Sequence, residues 1–147
     1  MVDLQLRQST SDIDYTAITE DEQAADELEQ AVRSLKNDLD VNVEPAAPHD
    51  FLPVPAWARE RGRFVGQYGP VAVYYYHLPS LVLAKVARGY EQDLDDAEKL
   101  IRAAGVTWQE IEQTWREMRA SPRGWLRYEP EEVERRLEQL RRRAGTR

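Results

Sequence analysis

The chain has no cysteine and two histidines, His49 and His77. Disulfide scaffolds, thiol nucleophiles and cysteine-ligated zinc are therefore excluded, and a multi-histidine metal site has too few ligands. Seven glycines are scattered singly, with no Gly-x-x-x-x-Gly-Lys loop to cradle phosphate. No uncharged apolar run approaches the 18 residues a membrane span needs. The first residues lack the basic-then-apolar layout of a secretory signal, so a cytoplasmic protein is expected. Chemistry in such a chain would run on carboxylates, lysine and arginine.

What is present amounts to one domain's worth of sequence: 147 residues, 41% hydrophobic and 32% charged. The net charge of −7 is unevenly spread. Residues 1–50 carry −10, residues 51–115 carry −1 and residues 116–147 carry +4. An acidic front repels phosphates unless a cation intervenes, and an arginine-rich tail attracts them.

Periodicity and punctuation predict an α+β chain. A short strand is expected near residues 12–17, followed by a helix over about 20–36. That helix has Thr19 as N-cap and Ala24, Leu28, Ala31, Val32 and Leu35 on its apolar stripe. Leu39, Val41 and Val43 alternate with Asp40, Asn42 and Glu44, a period-2 strand with one polar face. Four prolines make 45–56 a loop, and 63–67 with 71–76 flank Tyr68-Gly69-Pro70 as a hairpin. Helices then start near Pro79, Asp93, the Thr107–Glu110 capping box and Pro130. Gly89 and Gly105 end the first two. This predicts an α/β core over residues 1–77, a mixed sheet with an inserted helix, and a helical region over 78–147.

Three D-x-D pairs occur, at 12/14, 38/40 and 93/95, where eleven aspartates would give about one by chance. Taken singly, each reads more readily as a solvated acidic turn than as a site. On a strand, Asp12 and Asp14 project from one face, with Ile13 turned to the core. Adjacent carboxylates raise one another's pKa unless a cation neutralises them, and Mg²⁺ prefers carboxylate and phosphate oxygens. Asp40 or Glu44, on a neighbouring strand, would supply a third carboxylate. Lys85 and Arg88, three residues apart on a helix, are able to grip a triphosphate or simply cover the helix surface. The triple tyrosine 74–76 and Trp108, Trp115 and Trp125 read as packing, and the two histidines as lone residues without serine and acid partners.

The order of these motifs adds to them. Ser9-Thr10-Ser11-Asp12-Ile13-Asp14-Tyr15 resembles the R-x-S-T-x-D-I-D segment of the polymerase-β-like nucleotidyltransferase superfamily. Leu83-Ala84-Lys85-Val86-Ala87-Arg88 and Asp93-Leu94-Asp95-Asp96-Ala97 resemble the lysine-bearing helix and late aspartate motif of one branch, the abortive-infection-type nucleotidyltransferase toxins and their small relatives. The likeness covers roughly residues 5–103. It implies Mg²⁺ (or Mn²⁺) held by Asp12 and Asp14 with Asp40, and an NTP contacted by Ser9, Ser11, Lys85 and Arg88. Asp93 or Asp96 would act on the acceptor hydroxyl. The implied activity is nucleotide transfer to an RNA, such as the 3′ end of a tRNA, or to a protein hydroxyl, with a cognate toxin or antitoxin as partner. The family's Gly-Ser or Gly-Gly turn before the D-x-D has no counterpart among residues 1–11. The alternative is therefore a catalytically inactive binding or antitoxin-like module of the same fold.

Overall fold

The computed structural model describes residues 12–145. The architecture is α+β, in two compact units that divide between Asp50 and Phe51. In the first unit, strand β1 (Asp12–Tyr15), helix α1 (Glu22–Leu39) and strand β2 (Asn42–Pro45) form a βαβ crossover. The two strands pair in parallel, Asp12 opposite Asn42, Ile13 opposite Val43 and Asp14 opposite Glu44. Parallel pairing needs a long connection, which α1 supplies.

Helix α1 is capped by Asp21, whose carboxylate accepts from the Gln23 and Ala24 amides at 2.9 and 3.3 Å. Thr19, the expected cap, sits one step outside and receives the Asp21 N–H at 3.1 Å. The helix also runs further than expected. Leu35 and Leu39 continue its i, i+4 spacing, and the chain turns only at Asp40, a non-glycine residue in the left-handed conformation (φ 52°). The expected strand over 39–44 therefore begins at Asn42, and Asp40 is a helix C-cap rather than a strand residue. Ile13, expected in a core, is 47% exposed, and α1 buries no residue fully. Two strands and one helix have too little surface to close a core of their own.

The second unit holds the main core. A short 3-10 turn (Ala56–Glu60) precedes the hairpin of β3 (Arg63–Tyr68) and β4 (Val71–Tyr75). Its antiparallel register is shifted by a bulge between Phe64 and Gly66. Helices α2 (Leu78–Arg88), α3 (Glu91–Ala104), α4 (Trp108–Arg119) and α5 (Pro130–Gly145) follow. Helix α2 is central, packing against α3, α4 and α5. Leu83, Ile111, Met118, Val133 and Leu140 are essentially inaccessible to solvent, each burial worth roughly 1.5–3 kcal/mol.

The hairpin, expected with the 1–77 core, groups with the helices instead. Arg63 donates to the Ala104 carbonyl at 2.8 Å, and Tyr75 and Tyr76 pack on the helical core. Trp115 is buried as expected. Trp108 and Trp125 lie half-buried against the same core, Trp125 meeting Trp115 edge to face at 5.4 Å.

Candidate functional site

The βαβ unit gathers polar side chains on one strand face. Alternation puts Asp12 and Asp14 on the same side of β1, and the in-register pairing sets Asn42 and Glu44 beside them. The Asn42 amide donates to Asp12 Oδ1 at 3.3 Å and to Glu44 Oε1 at 3.0 Å, tying the two carboxylates together. Next to this face lies a hollow of about 470 Å³ lined by Asp12, Lys36, Asn37, Asp40, Val41 and Asn42. Asp40 thus comes to the same hollow as Asp12, but from the end of α1 rather than from the strand. Glu44 takes the strand position opposite Asp14.

Among the described residues, no three Asp, Glu or His side chains converge to hold one metal ion. The donor chemistry still suits a hard cation: Mg²⁺ is commonly bound by one or two carboxylates, with waters and substrate phosphates completing its shell. Asp12 and Asp40 would provide those two carboxylates, and Lys36 a cation at the rim of the same hollow. No local sequence pattern announces Lys36, because its position beside Asp12 depends on α1 continuing to Leu39. Ser9 and Ser11, expected to contact nucleotide, lie outside the described residues.

Lys85, Arg88, Asp93 and Asp96 come together in the second unit, at the corner between α2 and α3. Asp93 and Asp96 are 1% and 3% exposed, and each faces a cation. Arg88 grips Asp93 with two N–H groups, at 2.8 and 3.1 Å, and Lys85 Nζ reaches Asp96 at 3.4 Å. Asp96 also lies 4.0 Å from Lys99 Nζ. A buried carboxylate is tolerated only when paired, so these contacts brace the helix corner. A triphosphate would have to compete with Asp96 and Asp93 for the same two cations.

The arginine tail is similarly engaged. Arg141 pairs with Glu112, Arg142 with Glu138 at 3.6 Å, and Arg143 with Glu91, Asp95 and Glu98. His77, read from the sequence as lone, has its Nδ1 2.9 Å from Ser80 Oγ. Ser80 is fully buried, so the pair presents no nucleophile to a substrate. Among the described residues no helix is long and apolar enough to cross a membrane. The chain matches no family model, no curated protein sequence and no solved structure.

Proposed function

We propose that this chain is a nucleotidyltransferase-like protein whose βαβ unit takes the Mg²⁺ or Mn²⁺ complex of an NTP. The reading rests on one observation above the others: Asp12 and Asp40 line a single hollow with Lys36, beside a strand face that also carries Asp14 and Glu44. Asp12 and Asp40 would hold the metal, which supplies charge neutralisation for the phosphates. Lys36 would meet a phosphate oxygen as a point charge. The reaction is displacement at the α-phosphorus: the acceptor oxygen bonds to phosphorus as pyrophosphate leaves, and a base takes the hydroxyl proton. An RNA such as a tRNA 3′ end, or a protein hydroxyl, is the acceptor class, and the resemblance points to a toxin–antitoxin setting.

A second reading, a catalytically inactive binding module of the same fold, is favoured by the pairing of Lys85 with Asp96 and Arg88 with Asp93. Both readings meet in one experiment. The full chain is titrated calorimetrically with each Mg²⁺–NTP, then incubated with α-labelled NTPs and total tRNA. Transfer of label, lost in Asp12→Asn with Asp14→Asn, supports the enzyme. Metal-dependent NTP binding without transfer to RNA or protein supports the module. No NTP binding, or equal binding by wild type and double variant, removes the nucleotide reading.

A further inference from the structure

The second unit contains a cleft of about 400 Å³ among Trp57, Arg61, Arg63, His77, Glu110 and Gln113, separate in chemistry from the acidic strand face. Its cations are held in place. The Arg61 guanidinium lies 4.8 Å from the Trp57 ring centroid, a cation–π contact. Arg63 uses one of its five N–H donors on the Ala104 carbonyl, which fixes the direction of the rest. Trp57 itself is immobilised, its indole N–H donating to Glu117 Oε2 at 2.6 Å and its ring meeting His77 edge to face at 5.2 Å. Helix α2 opens onto the cleft at His77 and Leu78 with no side chain capping its first turn, so the positive end of its dipole faces the same space.

The cleft's charge selects among anions. Burial holds the His77 pKa below its usual value, so the ring is neutral at pH 7. Hydrogen bonds from the Thr107 backbone and hydroxyl to Glu110 lower its pKa, so it stays negative. Among the residues lining the cleft, two guanidiniums against the one carboxylate of Glu110 leave a single positive charge, Glu117 lying outside the lining behind the Trp57 indole. That balance suits a monoanion, whereas a phosphate dianion would bring excess charge against Glu110. The guanidinium fork matches a carboxylate in two-point geometry, and Leu78, Pro79 and Val106 offer an apolar wall beyond it. The volume lies at the lower end of small-molecule sites.

We propose that this cleft binds a small organic monocarboxylate, its carboxylate taken by Arg61 and Arg63 and its apolar body laid against Trp57 and Pro79. The proposal is independent of the nucleotide reading. The test uses the full ¹⁵N-labelled chain titrated with sodium benzoate, and in parallel with inorganic phosphate at matched ionic strength. Benzoate is expected to shift the Trp57 indole and the Gly62 and Gly105 amides saturably, and phosphate to leave them unsaturated. Arg61→Gln, at an exposed side chain, should weaken benzoate at least tenfold with little change in Tm. Glu110→Gln retains the capping box, since glutamine serves at that position, and should tighten benzoate about threefold or more. Absence of saturable benzoate shifts, phosphate binding as tight as benzoate, or unchanged affinity in Arg61→Gln would each overturn the assignment.

Discussion

Lys85 shows how a residue's meaning depends on what its charge already faces. On α2 it lies between the buried Ala84 and Val86, and a free ammonium there would suit a phosphate. Its Nζ instead reaches Asp96, a carboxylate almost wholly withdrawn from water. Removing one partner of such a pair costs more than the pair itself contributes, because the other stays buried, though Asp96 would keep Lys99 at 4.0 Å. Lys85 is itself partly exposed and the contact is long at 3.4 Å, so the cost falls below that of a fully buried pair. Lys85→Ala is therefore expected to lower stability by about 1.5–3 kcal/mol, the range for losing a hydrogen bond to a charged group. Asp96→Asn should cost less, because the amide keeps a hydrogen-bonding oxygen and removes the buried charge. Urea unfolding of both variants checks this. A Lys85→Ala protein as stable as wild type, with weakened binding of an Mg²⁺–NTP, would return the residue to the nucleotide.

At the scale of elements, helix ends are the most legible part of this chain. Gly89 and Gly105 both close helices in the left-handed conformation, at φ 72° and 67°, where a side chain is strained by about 1–2 kcal/mol. Their surroundings differ. A Cβ on Gly105 meets nothing, whereas one on Gly89 runs into the Arg136 guanidinium, which donates to the Ala87 carbonyl at 2.6 Å. Gly105→Ala should thus cost about 1 kcal/mol and Gly89→Ala roughly 1 kcal/mol more, through the displaced arginine. Thermal melts of the two variants decide the order, and equal losses would mean that Arg136 moves aside freely. The Thr107–Glu110 box and the final helix from Pro130 were readable for the same local reason. The start of β2 was not: Leu39, Val41 and Val43 alternate as a strand does, while Leu35 and Leu39 equally continue a helix, and the helix takes them until Asp40. Nor were the pairs Lys85–Asp96 and Arg88–Asp93 legible, since they form only when α2 and α3 fold against each other. The His77 cleft lies between segments distant in sequence, so no local spacing announces it.

Across the whole chain, charge is the property most easily misread from sequence. The +4 of residues 116–147 looks like a dock for a nucleic-acid backbone, against the −10 of residues 1–50. Yet Arg141 and Arg143 are turned onto acids of α3 and α4, and Arg142 onto its own helix, so part of the apparent field is cancelled where it arises. Arg143 joins Glu91, Asp95 and Glu98, and Arg141 also lies over the Trp108 ring at 5.8 Å. Each such partly exposed contact is worth only about 0.2–1 kcal/mol, but several share one helix end. Replacing Arg141, Arg142 and Arg143 together with Gln is expected to cost about 1–2 kcal/mol in total, by loosening α5 from α3 and α4. Three phosphate-binding arginines would add close to three units to the slope of log affinity against log salt. Arginines already paired should change that slope by less than about one unit. Urea unfolding and tRNA titrations at several salt concentrations read both quantities on the same protein. A slope that falls by nearly three units with unchanged stability would show that phosphates outcompete these carboxylates, and the tail would then be the acceptor's dock.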